Sequence, residues 1–237
     1  MTLEQYLTPD PSLRPPRPCP DFLPDPLPSL SSRTIGMHSA ISVHGWDYID
    51  GRKVFYEAEL ERLFAILAKM RPDVLAVAEQ PPAIFFIDDQ GLKRPHTFDF
   101  LLTTTAGREL VAVKPAHLVE KTGVGRIVEL VAEQIMPSVA DYVVLFTDKE
   151  LSDVDVRNAE LLHGASRDPW PEDDAVVAKI VRKLKGEITV GELILASKLG
   201  GYAFDAVMRA ISAGAVELVE YGAINDHTRL RLSGKKA

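Results

Sequence analysis

The chain has 237 residues, enough for one domain or two small ones, and its 46% hydrophobic and 26% charged residues suit a soluble globular fold with a real core. No run approaches the ~18 apolar residues of a membrane span, and a single cysteine, Cys19, excludes an internal disulfide, so a reducing cytoplasmic setting is expected. The net charge of −7 argues against strong unaided affinity for DNA, which needs Lys and Arg to displace counterions.

Met1 to Gln5 shows no basic stretch leading into an apolar one, so no secretory leader is expected. Residues 1–30 hold nine of the 17 prolines, a density that rules out a helix or a central strand. Residues 1–35 are therefore expected to form an extended arm, disordered or laid against a partner, and dispensable for the core through residue 30. Residues 29–33 look like the joint to the folded part.

Residues 40–56 carry short strand signals at Ile41, Val43, Trp46 and Val54 to Tyr56, around Asp50 and Gly51. The spacing of Leu60, Leu63, Phe64 and Leu67 predicts a helix over 57–70 that stops before Arg71 and Pro72. Glu57 and Glu61 share one flank of it at i,i+4, and for Glu57 a solvated edge is the expected place. Strands follow at 74–78 and 83–87, with Asp88 and Asp89 as turn formers, not metal ligands.

Residues 97–102 and 109–115 read as two apolar runs joined by a turn containing Gly107, a β-hairpin signal. Antiparallel pairing brings Asp99, early on the first strand, to Lys114, at the end of the second. A carboxylate and an ammonium at one end of a small sheet suit Mg²⁺-dependent phosphodiester cleavage. The carboxylate binds a hard cation, and the lysine sets a positive charge beside water and phosphate. The same two residues also read as a structural ion pair, and the acidic position expected two residues before the lysine is Ala112.

A helix over 125–136 and a continuous apolar run over 141–147, read as a buried strand, complete a helix, a three-strand meander, a helix and a strand: a mixed α/β core. Residues 148–174 carry nine Asp/Glu against three Lys/Arg, with a helix near 154–162 and a linker at 167–171. Helices over 173–185, 190–199 and 202–213, the first of the last two opened by a capping-box pattern at Thr189 and Glu192, precede strands at 216–221 and 228–232. Three helices and a hairpin are a winged-helix layout.

Together these pieces resemble the TnsA family, the endonuclease subunits of heteromeric transposases. Glu61 lies in a Leu-Glu-Arg-x-Phe-like segment, Gln80 in a Glu-Gln-Pro, Asp99 in an Asp-Phe-Leu and Lys114 in a Val-Lys-Pro. Residues 146–150 resemble the segment that follows the next strand, and order and spacing agree over about residues 40–165. The resemblance implies a restriction-endonuclease-like domain over 36–168 and a winged-helix domain over 169–237. It further implies Mg²⁺-dependent cleavage of one DNA strand at transposon ends, with Mn²⁺ as a substitute, beside a transposase subunit and an AAA+ ATPase regulator.

Carried over, Glu61, Asp99 and Lys114 fall on catalytic positions, with Glu61, Asp99 and the Val113 carbonyl as metal ligands. The family's remaining acidic or Gln position is Ala112 here, for which Glu129 or Glu133 could substitute. The alternatives are an adaptor of nuclease fold that no longer cuts, and a winged-helix transcription regulator. The region 186–237 has six Lys/Arg and six Asp/Glu, with Arg209 as the one cation of its last helix. It is therefore expected to bind protein, not DNA.

Overall fold

Residues 26–32, 45–49 and 51–234 are described in the computed structural model of the protein, and they divide into two units, one from Pro26 to His163 and one from Gly164 onward. The sequence places the junction at 168/169. The expected strand signals at Ile41 and Val43, the turn residue Asp50 and most of the N-terminal arm lie outside the described residues.

In the first unit, β1 (Gly45–Ile49) and β2 (Arg52–Tyr56) form an antiparallel hairpin that leads into α1 (Glu59–Met70). β3 (Val74–Glu79) follows, and β4 (Ile84–Ile87) and β5 (Lys93–His96) pair in a hairpin of their own. The central hairpin is β6 (Phe100–Thr104) and β7 (Gly107–Val113). Helices α2 (Ala116–Thr122) and α3 (Val124–Gln134) then cross over to β8 (Tyr142–Phe146). The sheet order is β3-β6-β7-β8, antiparallel except for the parallel β7–β8 pair. With α4 (Asp153–Ser166) and the three helices of the second unit, the described residues form an α/β structure of seven α-helices with a mixed sheet.

Period-two alternation along β7 sorts its side chains to the two faces. Val111 and Val113 join Phe64, Phe100 and Leu102 in the core under α1, whereas Leu110 and Ala112 join Phe98, Val124 and Val128 under α3. The β6–β7 turn depends on Gly107, whose φ of +137° favours glycine. A Cβ there would meet the Asp141 carboxylate at 2.5 Å, the group that accepts the Arg108 N–H at 2.8 Å.

Several expectations need correction. The run at 141–147 is not a buried strand: β8 is the sheet edge, with Tyr142 and Val144 exposed, because nothing among the described residues pairs with its outer side. Helix α1 starts at Glu59 rather than 57, and the meander is β3-β6-β7, since β4 leaves the sheet to pair with β5, a strand hidden in the sequence by Pro95. Helix α2 also escapes an apolar-period reading, because none of its residues is buried.

The arm is corrected at its C-terminal end. Residues 26–32 are a strap on the first unit: Leu27 N–H donates to Gly51 O at 2.7 Å, and Lys53 N–H donates to Leu27 O at 3.0 Å. Ser29 Oγ donates to the carboxylate of Glu79, which is 1% exposed. Losing such a donor to a buried carboxylate costs about 2 kcal/mol. A chain lacking residues 1–32 is therefore expected to melt roughly 5 °C below one lacking only 1–25, by calorimetry or circular dichroism. Equal melting temperatures would show that the strap contributes nothing.

In the second unit, α5 (Pro171–Val181), α6 (Val190–Ser197) and α7 (Ala203–Ser212) are joined by a three-stranded sheet. Its order is β10 (Val216–Leu218), β11 (Arg229–Leu232), β9 (Glu187–Thr189); the sequence reading lacks β9. The capping box is present: Thr189 N–H donates to the Glu192 carboxylate at 2.8 Å, and Glu192 N–H to Thr189 Oγ1 at 3.1 Å.

Candidate active site

One end of the four-stranded sheet gathers the end of β3, the start of β6 and the ends of β7 and β8. Asp99 sits one residue before β6, and two bonds fix it across β7. Its N–H donates to Val111 O at 3.0 Å, and its Oδ2 accepts the Val113 N–H at 2.6 Å. Those bonds flank Ala112. Both bonds lie just past Phe100↔Val111, the last register pair of the hairpin, and Phe98 and Phe100 on either side of Asp99 pack into opposite cores.

Lys114 is positioned from β8. Its N–H donates to Phe146 O at 2.9 Å, and Ala116 N–H, two residues on, donates to Asp148 Oδ1 at 2.7 Å. That backbone bond is the main reason the Asp148 carboxyl lies below its usual range. A capping box at Thr147 and Glu150 shapes the same turn. The segment 146–150 thus braces the chain on either side of Lys114 and Pro115.

Glu61 reaches this end from the first turn of α1. Its carboxyl is pushed up to about 7, first by burial. The Glu57 N–H, which donates to Glu61 Oε2 at 2.7 Å, opposes the rise; the Asp99 and Glu57 carboxylates add to it, and Lys114 opposes it. The electrostatics therefore join Glu57, Glu61, Asp99 and Lys114 in one site. His96, at the end of β5, feels Lys114 too: burial first, then that charge, holds its imidazole below the usual range. Its ring meets Phe98 edge-on at 4.9 Å.

Two residues belong here to which the sequence reading gave no role: Glu57, expected on a solvated edge, and Gln80, named only within a motif. Glu57 is no solvated edge: it is half-buried beside Glu61, and its Oε1 accepts Gln80 Nε2 at 3.3 Å. Gln80 is 3% exposed, and its N–H donates to Asp99 O at 2.8 Å. The signals were the i,i+4 spacing of Glu57 to Glu61 and a glutamine ahead of Pro81. Glu129, by contrast, pairs with Arg126 at 3.0 Å, and Arg126 also holds Asp89 at the β4–β5 turn. Both it and Glu133 are exposed on α3.

The donor set suits a hard divalent cation, which takes oxygen ligands, and mutual repulsion of the carboxylates is a load that such a cation relieves. Among the described residues no three His, Cys, Asp or Glu side chains stand ready as a metal-holding group. The protein's share would be Glu61, Asp99 and the Val113 carbonyl, with phosphate and water completing the shell.

A carboxyl raised from an ordinary value of 4.5 to about 7 keeps its proton longer in the folded state, so folding is favoured below about 4.5 and loses that advantage as pH rises to about 7. Glu61→Gln is accordingly expected to raise metal-free stability at pH 8 by about 1–3 kcal/mol and to flatten the decline between those pH values. Urea unfolding across pH 4–8 reads this directly; an unchanged profile would remove Glu61 from the buried site.

No family model matches the chain, and no curated protein matches it. No α-helix among the described residues is long and apolar enough to cross a membrane.

Proposed function

We propose that the chain is a TnsA-like endonuclease subunit of a heteromeric transposase, hydrolysing one DNA strand at transposon ends. The observation that carries this reading is that Asp99 and Lys114 are fixed by main-chain bonds at the same end of the hairpin, with the Glu61 carboxyl near enough to feel both charges. The β3-β6-β7-β8 sheet, with a parallel fourth strand after a helical crossover and helices on both faces, supports a restriction-endonuclease-like core.

Mg²⁺, or Mn²⁺ in its place, would be held by Glu61, Asp99 and the Val113 carbonyl, and would supply Lewis-acid stabilisation of phosphate and a more acidic water. Lys114 contributes a fixed positive charge beside the scissile phosphate, held in place by the 146–150 turn. Glu61 must lose its proton to serve, so metal affinity rises with pH through about 7. The test is nicking of transposon-end DNA by the chain with a transposase subunit, an AAA+ ATPase and Mg²⁺ or Mn²⁺. Strand-specific cuts support the reading; intact DNA with both metals rejects it.

One observation favours a second reading, an adaptor of the same fold that no longer cuts. Ala112 is 2% exposed and lies in an apolar cluster where a metal site would gain from an acid.

For the second unit we propose a winged-helix role in binding protein, the ATPase regulator, rather than DNA. Three helices with a three-stranded sheet support the layout. The cation of α7 is committed inward: Arg209 is 9% exposed, its Nε donates to Asp174 at 2.8 Å, and its Nη1 donates to the carbonyls of Ala165 and Asp168. A fragment spanning 164–237 is expected to leave duplex DNA unshifted at micromolar concentration and physiological salt. A clear shift would return DNA binding to this unit, and with it the transcription-regulator alternative.

A further inference from the structure

Gln80 is held in a backbone conformation that a glutamine seldom adopts. Its φ is +42°, in the left-handed region where only Gly, and to a lesser degree Asn and Asp, is at ease. Such a residue persists where its surroundings over-determine it, and the surroundings here are specific. Gln80 O accepts both the N–H of Ser32 at 3.0 Å and its Oγ at 2.7 Å. Gln80 Oε1 accepts Ser31 Oγ at 3.3 Å, and Ser31 N–H in turn donates to Ser29 Oγ at 2.9 Å. With its oxygen facing the serine strap, the amide turns its NH₂ toward Glu57 Oε1. The backbone N–H of Gln80 meanwhile holds the carbonyl of Asp99.

The residue therefore ties three things together: the 26–32 strap, the main chain of Asp99, and the carboxylate of Glu57. Glu57 is in turn joined to Glu61 through its N–H and its charge. The candidate site lacks an acid at Ala112, and Glu57 is a further carboxylate coupled to it. We propose that Gln80 is a positioning residue of the candidate nuclease site, seated by Ser31 and Ser32, and that it orients Glu57 as the additional oxygen ligand for a divalent cation that position 112 does not provide.

The inference rests on the nuclease reading above and deepens it. An outer amide that orients a ligating carboxylate is a recognised way to tune a metal site, and its loss typically weakens metal binding by about 10–100-fold. A residue of purely structural value behaves differently. Gln80→Gly relieves the left-handed φ while deleting the amide, so backbone strain and ligand orientation separate.

The experiment is Mn²⁺ titration of the full chain, by calorimetry and by the electron paramagnetic resonance of free Mn²⁺, with melting temperatures measured alongside and duplex DNA present in a parallel series. Glu57→Gln and Gln80→Gly are each expected to weaken Mn²⁺ by at least about tenfold. The double variant should lose little more than either single one, because both changes break the same interaction. Glu57→Gln changes a half-buried side chain on the loop before α1, so it keeps the test open should Gln80→Gly destabilise the chain.

Wild-type affinity in both variants, with binding abolished by Asp99→Asn, overturns this inference and leaves the nuclease reading intact. Fully additive losses overturn the coupling of Gln80 to Glu57. Failure of the wild-type chain to bind Mn²⁺, with or without DNA, overturns the nuclease reading, and this inference falls with it.

Discussion

Asp99→Asn is expected to leave the fold in place and to lower strand cleavage by roughly a thousandfold. The carboxylate does two separable jobs. One oxygen accepts the Val113 N–H at 2.6 Å, which closes the β6–β7 pairing at its last residue. The negative charge is the other job, and it is what a divalent cation would engage. Asparagine keeps an acceptor for Val113 and loses the charge. Removing a contact made to developing charge through such a cation is worth about 4 kcal/mol, or close to three decades in rate. Asp99→Ala loses both jobs and strands a buried N–H, adding about 1–3 kcal/mol of destabilisation. A pairing of cleavage rate with melting temperature separates the two: Asn should fall on the rate axis alone, Ala on both. If Asn also melts early while metal binding is unaffected, Asp99 is part of a structural pair with Lys114, and the site is not a nuclease centre.

Some of this was legible in the chain and some was not, for physical reasons. The β6–β7 hairpin announces itself because its strands alternate against two cores and its turn requires Gly107. The hairpin logic also brings Asp99 to the end of β7, where its carboxylate accepts the Val113 N–H just past the last register pair. Helix α1 reads clearly from its apolar spacing because Phe64 is buried and Leu60 and Leu67, on the same face, pack against the same core.

What failed to show were contacts with no periodicity. Glu57 reads as solvent-facing because its partner Gln80 arrives from the end of β3, 23 residues away. The strap at 26–32 reads as an arm because prolines hide its two main-chain bonds, to Gly51 in the β1–β2 turn and to Lys53 on β2. β8 reads as buried because Tyr142, Val143, Val144 and Leu145 are all apolar, yet it closes the sheet as an edge. Arg209 reads as an available cation because the sequence does not reveal that Asp174 and two carbonyls hold it.

Ala112→Glu is expected to be costly without metal and to recover with it. Ala112 is 2% exposed on the α3 face of β7, among Phe98, Leu110, Val124 and Val128. A carboxylate placed there is desolvated and has no cation beside it other than what Lys114, two residues along the same strand face, can offer. It also adds a negative charge next to Asp99, which is bonded to Val111 and Val113 on either side of position 112, and like charges that close repel. An uncompensated buried charge of this kind destabilises by about 3–5 kcal/mol. For a unit of this size that is on the order of 10 °C in melting temperature. A divalent cation changes the sign of the local problem. A cation held beside Asp99 offsets the introduced charge as well, and its binding energy adds to stability by mass action. The expected result is a low metal-free melting temperature that Mn²⁺ raises by several degrees more than it raises the wild-type value, together with faster nicking. A variant that melts early and stays low at saturating Mn²⁺ would mean that Ala112 faces only the apolar core, and that no metal centre lies beside Asp99.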